Sequence, residues 1–434
     1  MMWRHFFQLE ELGTTVRREF LAGLTTFVTM AYIIVINPKI LEAAGMPFGP
    51  AMTATILTAF LGTLAMGLYA KRPFAVAPYM GENAFIAFTV VGVLHFTWQM
   101  ALAAVFLAGV LFWLITLLRV RGWLAHAIPS SMKIAFTVGI GLFLAFIGLN
   151  EAGLVTLGVQ GAPVQVGDLR APSAQLAILG FLLTIALMVR RVRAALLISI
   201  FTITLLAFLW GVQKPPATWV SAPPSLGPVF LQLDLRGALS LTFLPVILTI
   251  FVMAFVDTMG TLIGLALRAD LVDERGNLPE IEKPMLCDAM ATTAAGLLGT
   301  TTAGAYIESA TGIAAGGRSG LTAVFTACFF LLALFFAPFL AAVPACACAP
   351  ALVVVGMLML APISQLNFGD LTESVPAFVT IILMTFTYNL GVGMTAGFAA
   401  YLAVKILAGR WREVSGGMWF LGALSLLFFL FCHR

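Results

Sequence analysis

The stretch that decides the fold is Ala77-Pro78-Tyr79-Met80-Gly81-Glu82-Asn83-Ala84, and a second stretch, Tyr306-Ile307-Glu308-Ser309-Ala310, echoes it later in the chain. Both lie in apolar segments, 74–93 and 301–317, that are interrupted by Gly, Pro, Thr and a carboxylate. Residues of these kinds resist a continuous helix. We therefore expect each segment to run extended and then to enter a half-helix near its glutamate.

The composition around these segments is that of a membrane protein. Of 434 residues, 61% are hydrophobic and only 10% are charged, with a mean hydropathy of +1.04. Soluble domains have about 25% charged residues, so a water-soluble enzyme is excluded. Cys346-Ala347-Cys348 has no further Cys or His nearby in sequence, and we interpret it as small apolar residues in a helix. No metal or organic cofactor is expected.

Apolar stretches divide the chain into spans of about the 20 residues that a membrane helix needs. Residues 1–19 are polar and amphipathic, and nothing ahead of the first stretch resembles a cleavable signal. With the two broken segments, the total is 14. The uninterrupted spans are 20–37, 49–70, 97–119, 129–149, 174–190, 194–212, 240–267, 285–300, 319–342, 345–362, 373–389 and 391–409. The stretch 416–432 is either an interfacial helix or one more span.

The basic residues test this count. With a cytoplasmic N-terminus and alternating sides, eighteen Lys and Arg fall inside, four fall outside, and one depends on the final stretch. Such a bias is the positive-inside pattern, and it would be lost if either broken segment failed to cross. The net charge of +4 thus follows from topology and does not indicate nucleic-acid binding.

The sequence also contains signs of an internal repeat. Ile128-Pro129 with Gly141 is matched by Val343-Pro344 with Gly356, and each echo is offset by seven spans. Because seven is odd, the halves are inverted relative to each other, as in secondary transporters, which bind substrate at the repeat interface. We predict an all-α polytopic protein divided into 1–19, a first repeat 20–213, an outer linker 214–239, a second repeat 240–409 and a C-terminal segment 410–434.

Three carboxylates lie inside the predicted membrane region: Glu82, Asp257 and Glu308. Ionisable groups there are costly and mark functional sites. Burial without a counter-charge favours the protonated form of a carboxyl group, which suits proton loading and release. With half-helix N–H groups, these side chains form a pocket for a neutral, planar, hydrogen-bonding solute. The other candidate site residues are Tyr79, Asn83, Phe255, Ser309 and Thr311.

Structural alternatives remain open for several of these residues. The carboxylates can be satisfied by neighbouring hydroxyl groups, and Glu82 can sit at the edge of its segment and reach water. Asn83 can be a helix cap. Gly260 and Gly264 have the small-xxx-small spacing of helix packing.

At specific strings the chain resembles the nucleobase/cation symporters, in the AzgA-like branch of hypoxanthine, guanine and adenine permeases. The resemblance covers nearly the whole chain. The strings are Gly13-Thr14-Thr15-Val16-Arg17, Ala22-Gly23-Leu24-Thr25-Thr26-Phe27, Met30-Ala31-Tyr32-Ile33, Asn37-Pro38, Phe255-Val256-Asp257-Thr258, Glu308-Ser309-Ala310-Thr311-Gly312 and Pro376-Ala377-Phe378.

This resemblance implies a uracil-transporter-like fold with core and gate domains, located in the cell membrane. It implies import of a purine nucleobase by proton symport through alternating access, with the proton as the coupling ion. Asn83, Asp257 and Glu308 would handle substrate or proton, and Glu308 and Asp257 would couple the proton. A homodimer through the gate domain is also implied.

The third segment departs from the family pattern. The family usually reads Ala-Pro-Gly-Met-Gly-Leu-Asn, whereas this chain has Tyr79 for the glycine and Glu82 for the leucine. The alternatives are a sulfate-permease-type anion transporter of the same fold, a uracil or xanthine permease, and a channel. The buried carboxylates disfavour the anion transporter.

Overall fold

The computed structural model describes residues 5–118, 128–159, 162–240, 242–269, 271 and 278–431. The ends of the predicted segments 1–19 and 410–434 lie outside these residues, as does part of the predicted loop between Arg268 and Lys283.

In the first half, the described residues form eight helices and three strands. They are α1 (Val16–Met30), α2 (Ile33–Ala43), α3 (Phe48–Leu68), β1 (Val76–Pro78), α4 (Met80–Ala84, continued by a π-helix Phe85–Val93), α5 (Trp98–Leu117), α6 (Ser130–Glu151), β2 (Val155–Val159), β3 (Ala162–Val166), α7 (Pro172–Val189) and α8 (Ala195–Leu209).

The second half again places a short strand between a helix and a half-helix. Its elements are α9 (Leu235–Ala238), α10 (Leu244–Arg268), α11 (Glu282–Leu298), β4 (Ala303–Ala305), α12 (Ser309–Ala314), α13 (Gly320–Ala333), α14 (Ala337–Ala341), α15 (Ala345–Met359), α16 (Leu371–Phe386), α17 (Leu390–Leu407) and α18 (Gly416–Phe431).

The helices confirm a multi-pass membrane protein. Within the described residues, nine helices are long and apolar enough to cross a membrane, counting α1–α2 and α13–α14 as one each. The other five of the fourteen predicted segments are shorter: β1–α4, α8, α11, β4–α12 and α16. The final stretch forms α18, a 16-residue helix that packs on α17. At about 1.5 Å per residue, α18 is shorter than the hydrocarbon core, which is about 30 Å thick.

The first predicted span is interrupted in the structure. Residues 20–37 were expected to form one helix, but α1 ends at Met30 and α2 begins at Ile33. Thr25 and Thr29 donate from their hydroxyl groups to carbonyls one turn back, at 2.8 and 3.0 Å, a bonding mode that bends helices. Tyr32 lies at the junction between these two helices.

Two threonines show the inverted repeat at atomic level. The Thr63 hydroxyl of α3 accepts a hydrogen bond from the Val76 N–H and donates to the Val76 carbonyl, both at 2.9 Å. The Thr292 hydroxyl of α11 does the same to Ala303, at 3.1 and 2.8 Å. Each half thus fixes its short strand to a helix by the same pair of bonds, and the two strands pair antiparallel, with Val76 opposite Ala305.

The helices separate into two packed groups, a core (α1–α5 and α10–α13) and a gate (α6–α8 and α15–α17). Glycines set the central crossing in each group. A Cβ atom at Gly141 would lie 2.7 Å from the Gly356 carbonyl oxygen, and one at Gly67 would lie 2.6 Å from that of Gly320. Close backbone approach of this kind is how membrane helices pack without a hydrophobic driving force. Gly141 and Gly356, matched by sequence, therefore meet at the centre of the gate.

Candidate functional site

The site is built on the two broken segments, which cross at the centre of the core. As predicted, each runs extended and then becomes a short helix: β1 leads into α4, and β4 leads into α12. Beyond the strands, the Tyr79 N–H donates to the Thr302 carbonyl and the Tyr306 N–H donates to the Ala75 carbonyl, both at 2.9 Å. These bonds satisfy backbone groups that lipid could not satisfy, and they hold both half-helices in a fixed relation.

Glu308 stands at the start of α12 and faces the break in the first span. The Tyr32 hydroxyl donates to Glu308 Oε1 at 2.6 Å. One turn on, the hydroxyl groups of Thr311 and Thr29 lie 2.9 Å apart. A hydroxyl bond to a carboxylate is among the stronger hydrogen bonds in proteins, so Tyr32 fixes the direction of the Glu308 carboxyl group.

Sequence reasoning missed Tyr32 as a site residue. It lies within the string Met30-Ala31-Tyr32-Ile33, which was read as part of a continuous span. Its role depends on the contact of its hydroxyl group with Glu308 of α12, which the pattern of apolar residues does not reveal.

Glu82 is completely buried on α4. Its side chain has no exposed surface, and neither carboxyl oxygen has a hydrogen-bond partner among the described residues. The alternative that it sits at the segment edge and reaches water is therefore wrong. Asp257, on α10, lies within electrostatic reach of Glu82 and is partly exposed. A buried carboxyl group without a hydrogen-bond partner destabilises the fold. A purely structural residue would normally have such a partner.

Two tyrosines cross between the broken segments. The rings of Tyr79 and Tyr306 are nearly parallel, 9° apart, with centroids separated by 6.2 Å. The Tyr306 hydroxyl donates to the Pro78 carbonyl, and the Tyr79 hydroxyl lies 3.1 Å from that of Thr258 on α10. Gly304 is required here, since a Cβ atom would collide with the Tyr79 hydroxyl.

A further carboxylate inside a predicted span, Asp288 on α11, was also missed. It has no exposed surface, and its Oδ2 accepts a hydrogen bond from the Ala305 N–H at 3.1 Å. At the strand of the first half, the Ala75 N–H donates to the hydroxyl group of Ser309 on α12, at 2.9 Å. Asp288 and Ser309 thus anchor the two strands. Asp288 lies inside the predicted span 285–300, and the rule applied to the other intramembrane carboxylates could have found it.

Asn83 and Phe255 point to other parts of the core. The Asn83 amide donates to Asn37 Oδ1 at 2.8 Å, and Asn37 in turn donates to the hydroxyl groups of Thr55 and Thr300. No cap bond from Asn83 is found within the described residues. The Phe255 ring packs edge-on against Phe112 of α5, with centroids 5.8 Å apart. In this conformation neither side chain joins the Glu308–Tyr32 pair.

The site opens at the second half-helix in the described structure. Ile307 is 53% exposed, and Glu308 and Thr311 are partly exposed. A Cβ atom at Gly260 would meet nothing within 4 Å in the described structure, so its expected helix-packing role is wrong. Gly264 has only the tip of Ile307 nearby, at 3.5 Å.

The first half-helix instead touches the gate. A Cβ atom at Gly81, next to Glu82, would lie 2.7 Å from the Ile140 side chain of α6. The described contacts of α12 are instead with α1 and α10, which both belong to the core. The half-helix of the first repeat therefore rests on the gate, whereas that of the second repeat faces the opening.

The chemistry of the site is acidic and hydroxylic. It combines carboxyl groups, tyrosine and threonine hydroxyl groups and two aromatic faces, a set that both donates and accepts hydrogen bonds. Within the described residues, no group of three or more His, Cys, Asp or Glu side chains could hold a metal ion. The set suits a flat, neutral molecule with polar edges better than an anion.

Comparison with known proteins extends this description. Residues 17–399 match the model of a family described as the Permease family. A putative permease of Methanocaldococcus jannaschii is 45% identical, over 98% of this chain and 97% of the relative. The adenine permease AdeQ of Escherichia coli is 41% identical, over 94% and 92%. The guanine/hypoxanthine permease PbuO of Bacillus subtilis is 40% identical, over 94% and 96%.

A solved structure has the same fold. The transmembrane domain of the cyanobacterial bicarbonate transporter BicA matches with a TM-score of 0.63, covering 88% of this chain and 97% of that domain. Its sequence is 18% identical, so the likeness is one of fold alone. It includes the inverted-repeat architecture seen here.

Proposed function

Because the chain belongs to the Permease family, whose members are transporters and not enzymes, we propose that it imports a purine nucleobase together with a proton. The base is hypoxanthine, guanine or adenine, and the mechanism is alternating access across the cell membrane. The observation that supports this most directly is the Tyr32–Glu308 pair at the opening of a site lined by carboxyl and hydroxyl groups. The adenine and guanine/hypoxanthine permeases named above match more than nine-tenths of the chain.

The proposed roles follow the geometry. Glu308, held by Tyr32, accepts hydrogen bonds from ring N–H groups of the base or carries the proton. Thr311 borders the same opening. Asp257 and Glu82 are two further acidic groups that can carry the coupled proton. Tyr79 and Tyr306 supply flat apolar surface. Asn83 and Ser309, both bonded within the core, act as positioning residues, and Phe255 supports α10.

Movement of the core against the gate then completes transport. In the described structure α12 is partly exposed, whereas Gly81 contacts Ile140 of the gate. Separation of that contact and closure around α12 would expose the carboxyl groups to the other side. With the N-terminus in the cytoplasm, the observed opening faces inward. This orientation, and a homodimer formed through the gate, are proposals that labelling of loop cysteines and crosslinking in membranes can test.

The deciding experiment is uptake of labelled hypoxanthine, guanine, adenine, uracil and xanthine into proteoliposomes, with and without an inward proton gradient. We expect gradient-stimulated uptake of a purine, and counterflow that separates a carrier from a channel. In Glu308→Gln the gradient should no longer stimulate uptake, whereas in Tyr32→Phe it should stimulate uptake less. Full pH-dependent uptake by Glu308→Gln would refute the role given to Glu308.

The anion-transport alternative makes the opposite prediction. Its best support is the fold shared with a bicarbonate transporter. Carboxyl groups at the opening repel anions, and we expect no bicarbonate or sulfate flux. Anion flux without purine uptake would replace the nucleobase proposal.

A further inference from the structure

A second cavity lies at the other end of the core–gate boundary, away from the carboxylate site. Its volume is about 310 Å³, within the range of small-molecule pockets, roughly 300–1,000 Å³. The core contributes α2 and the π-helical part of the third segment, and the gate contributes the ends of α6 and α15. Neither its residues nor its position belong to the site described above.

The cavity lies on the same path as the carboxylate site. Ile36 and Ile40 line it, and they follow Tyr32 at intervals of one helical turn on the same face of α2. On the gate side, Ile147 lines the cavity, and Ile140, which touches Gly81, lies seven residues earlier on α6. Seven residues of helix correspond to about 10 Å, so roughly two turns separate the cavity from the level of Glu82.

An aromatic group fills the space between the two sites. The Tyr388 ring packs against Phe143 and Phe146 of α6, with centroids 5.3 and 5.4 Å away, and against Phe88, 6.3 Å away. Phe88 also lines the cavity, so its ring contacts both the cavity and the aromatic group. The Thr89 hydroxyl donates to the Tyr388 carbonyl at 2.7 Å, which links the core to the gate at this level.

The cavity wall is apolar and its mouth is acidic. Ile36, Ile147 and Leu352 are almost fully buried. Three ionisable side chains, Lys39, Glu42 and Glu151, lie at helix ends around the mouth. Lys39 pairs with Glu42 at 3.0 Å, which leaves the charge of Glu151 only partly offset. A net negative mouth repels anions, and its carboxylates accept hydrogen bonds from amino and ring N–H groups.

We propose that this cavity is an outer capture site for a neutral purine base, which enters it before passing the aromatic group to reach Glu308. This inference rests on the proposed function, and it goes beyond that function by adding a second binding site. The base places its faces against Phe88 and the isoleucines, and its N–H edge toward Glu151. A lipid chain would offer no hydrogen-bond donor to Glu151, and an anion would be repelled by the net negative mouth.

The test uses two variants at the mouth and one matched control. Ala43 is exposed and lines the cavity, so Ala43→Phe places a ring across the mouth with little effect on packing. Glu151→Gln removes the charge and keeps the shape. Ala217 is an exposed alanine of the loop between the two halves and does not line the cavity, so Ala217→Phe adds the same ring elsewhere. KM and maximal rate are measured for the transported purine from each face of oriented proteoliposomes.

We expect Ala43→Phe to raise KM at the outer face about tenfold and Glu151→Gln to raise it about threefold. Maximal rate, and KM at the inner face, should stay within twofold of wild type, as should every value for Ala217→Phe. An unchanged outer KM in both variants, or an equal rise at both faces, would overturn the capture site while leaving purine transport established. A wild-type protein that transports no purine would refute the proposed function and this inference with it.

Equilibrium binding gives a readout that does not need transport. In Glu308→Gln the central site is impaired, and the remaining saturable binding of the labelled purine should come from the outer cavity. Adding Ala43→Phe should abolish it, whereas adding Ala217→Phe should not. Residual binding that is insensitive to Ala43→Phe would overturn the inference.

Discussion

Replacing Glu82 by leucine should make the protein more stable and less able to handle its substrate. The Glu82 side chain is fully buried, and neither oxygen has a hydrogen-bond partner among the described residues. A buried polar group without a partner costs about 1–3 kcal/mol, so removing the carboxyl group should stabilise the fold by roughly 2 kcal/mol, or about thirtyfold in the unfolding equilibrium. Leucine is the residue usual at this place in the family that the sequence resembles. The chain therefore retains a glutamate at a cost in stability, which indicates a function.

The assay has two readouts on the same purified protein. Thermal unfolding in detergent should give a higher midpoint for Glu82→Leu than for wild type, and purine uptake should show KM raised at least tenfold. Glu82→Gln is the control: it keeps the polar atoms, so it should lose substrate affinity without gaining stability. A lower unfolding midpoint for Glu82→Leu together with unchanged KM would show that Glu82 is a satisfied structural residue, and the reasoning from its burial would be wrong.

Three further substitutions test the frame around the site. Gly304→Ala should displace the Tyr79 ring, since the added Cβ atom would collide with the Tyr79 hydroxyl group. We expect at least tenfold lower uptake at equal protein abundance. Uptake near the wild-type rate would contradict this packing. Asp288→Ala should remove the hydrogen-bond acceptor that holds β4 and destabilise the fold by about 1–3 kcal/mol. This loss is measured as a lower midpoint of thermal unfolding, and Asp288→Asn should lower the midpoint less. Asp370, which caps α16, bonds to Thr372 and to Arg410, and these bonds lower the pKa of its carboxyl group to about 2. The stability that Asp370 contributes is thus complete above the unfolded-state pKa, about 3.9, and is lost only as the pH falls toward 2. Asp370→Asn should therefore leave the pH dependence of uptake between pH 5 and 8 unchanged. An altered pH dependence would place a coupling group at this end of the gate.

Hydropathy and charge placement predicted the fold because both signals are local. Each apolar stretch is recognised from its own residues, and lipid requires every crossing to satisfy its own backbone. The sequence thus revealed the fourteen segments, and the echoes between Gly141 and Gly356 revealed the inverted halves. The prolines and glycines of 74–93 and 301–317 likewise predicted the strand-then-helix form of the broken segments.

The site was predicted less completely, since contacts between distant segments decide it. Glu308 and Asp257 could be identified from their position in apolar surroundings. Tyr32 could not, because its role depends on a hydrogen bond of 2.6 Å to Glu308, which belongs to a distant segment.

The sequence by itself determined that this chain lies in a membrane, repeats itself in inverted halves and places carboxyl groups at the repeat interface. Only the tertiary structure decided which face each of these side chains presents. It buried Glu82, turned Phe255 toward Phe112 and committed Asn83 to Asn37. The physical reason is that crossing a bilayer depends on the sum of local transfer free energies, whereas the partner of a buried polar group depends on which distant helix packs beside it.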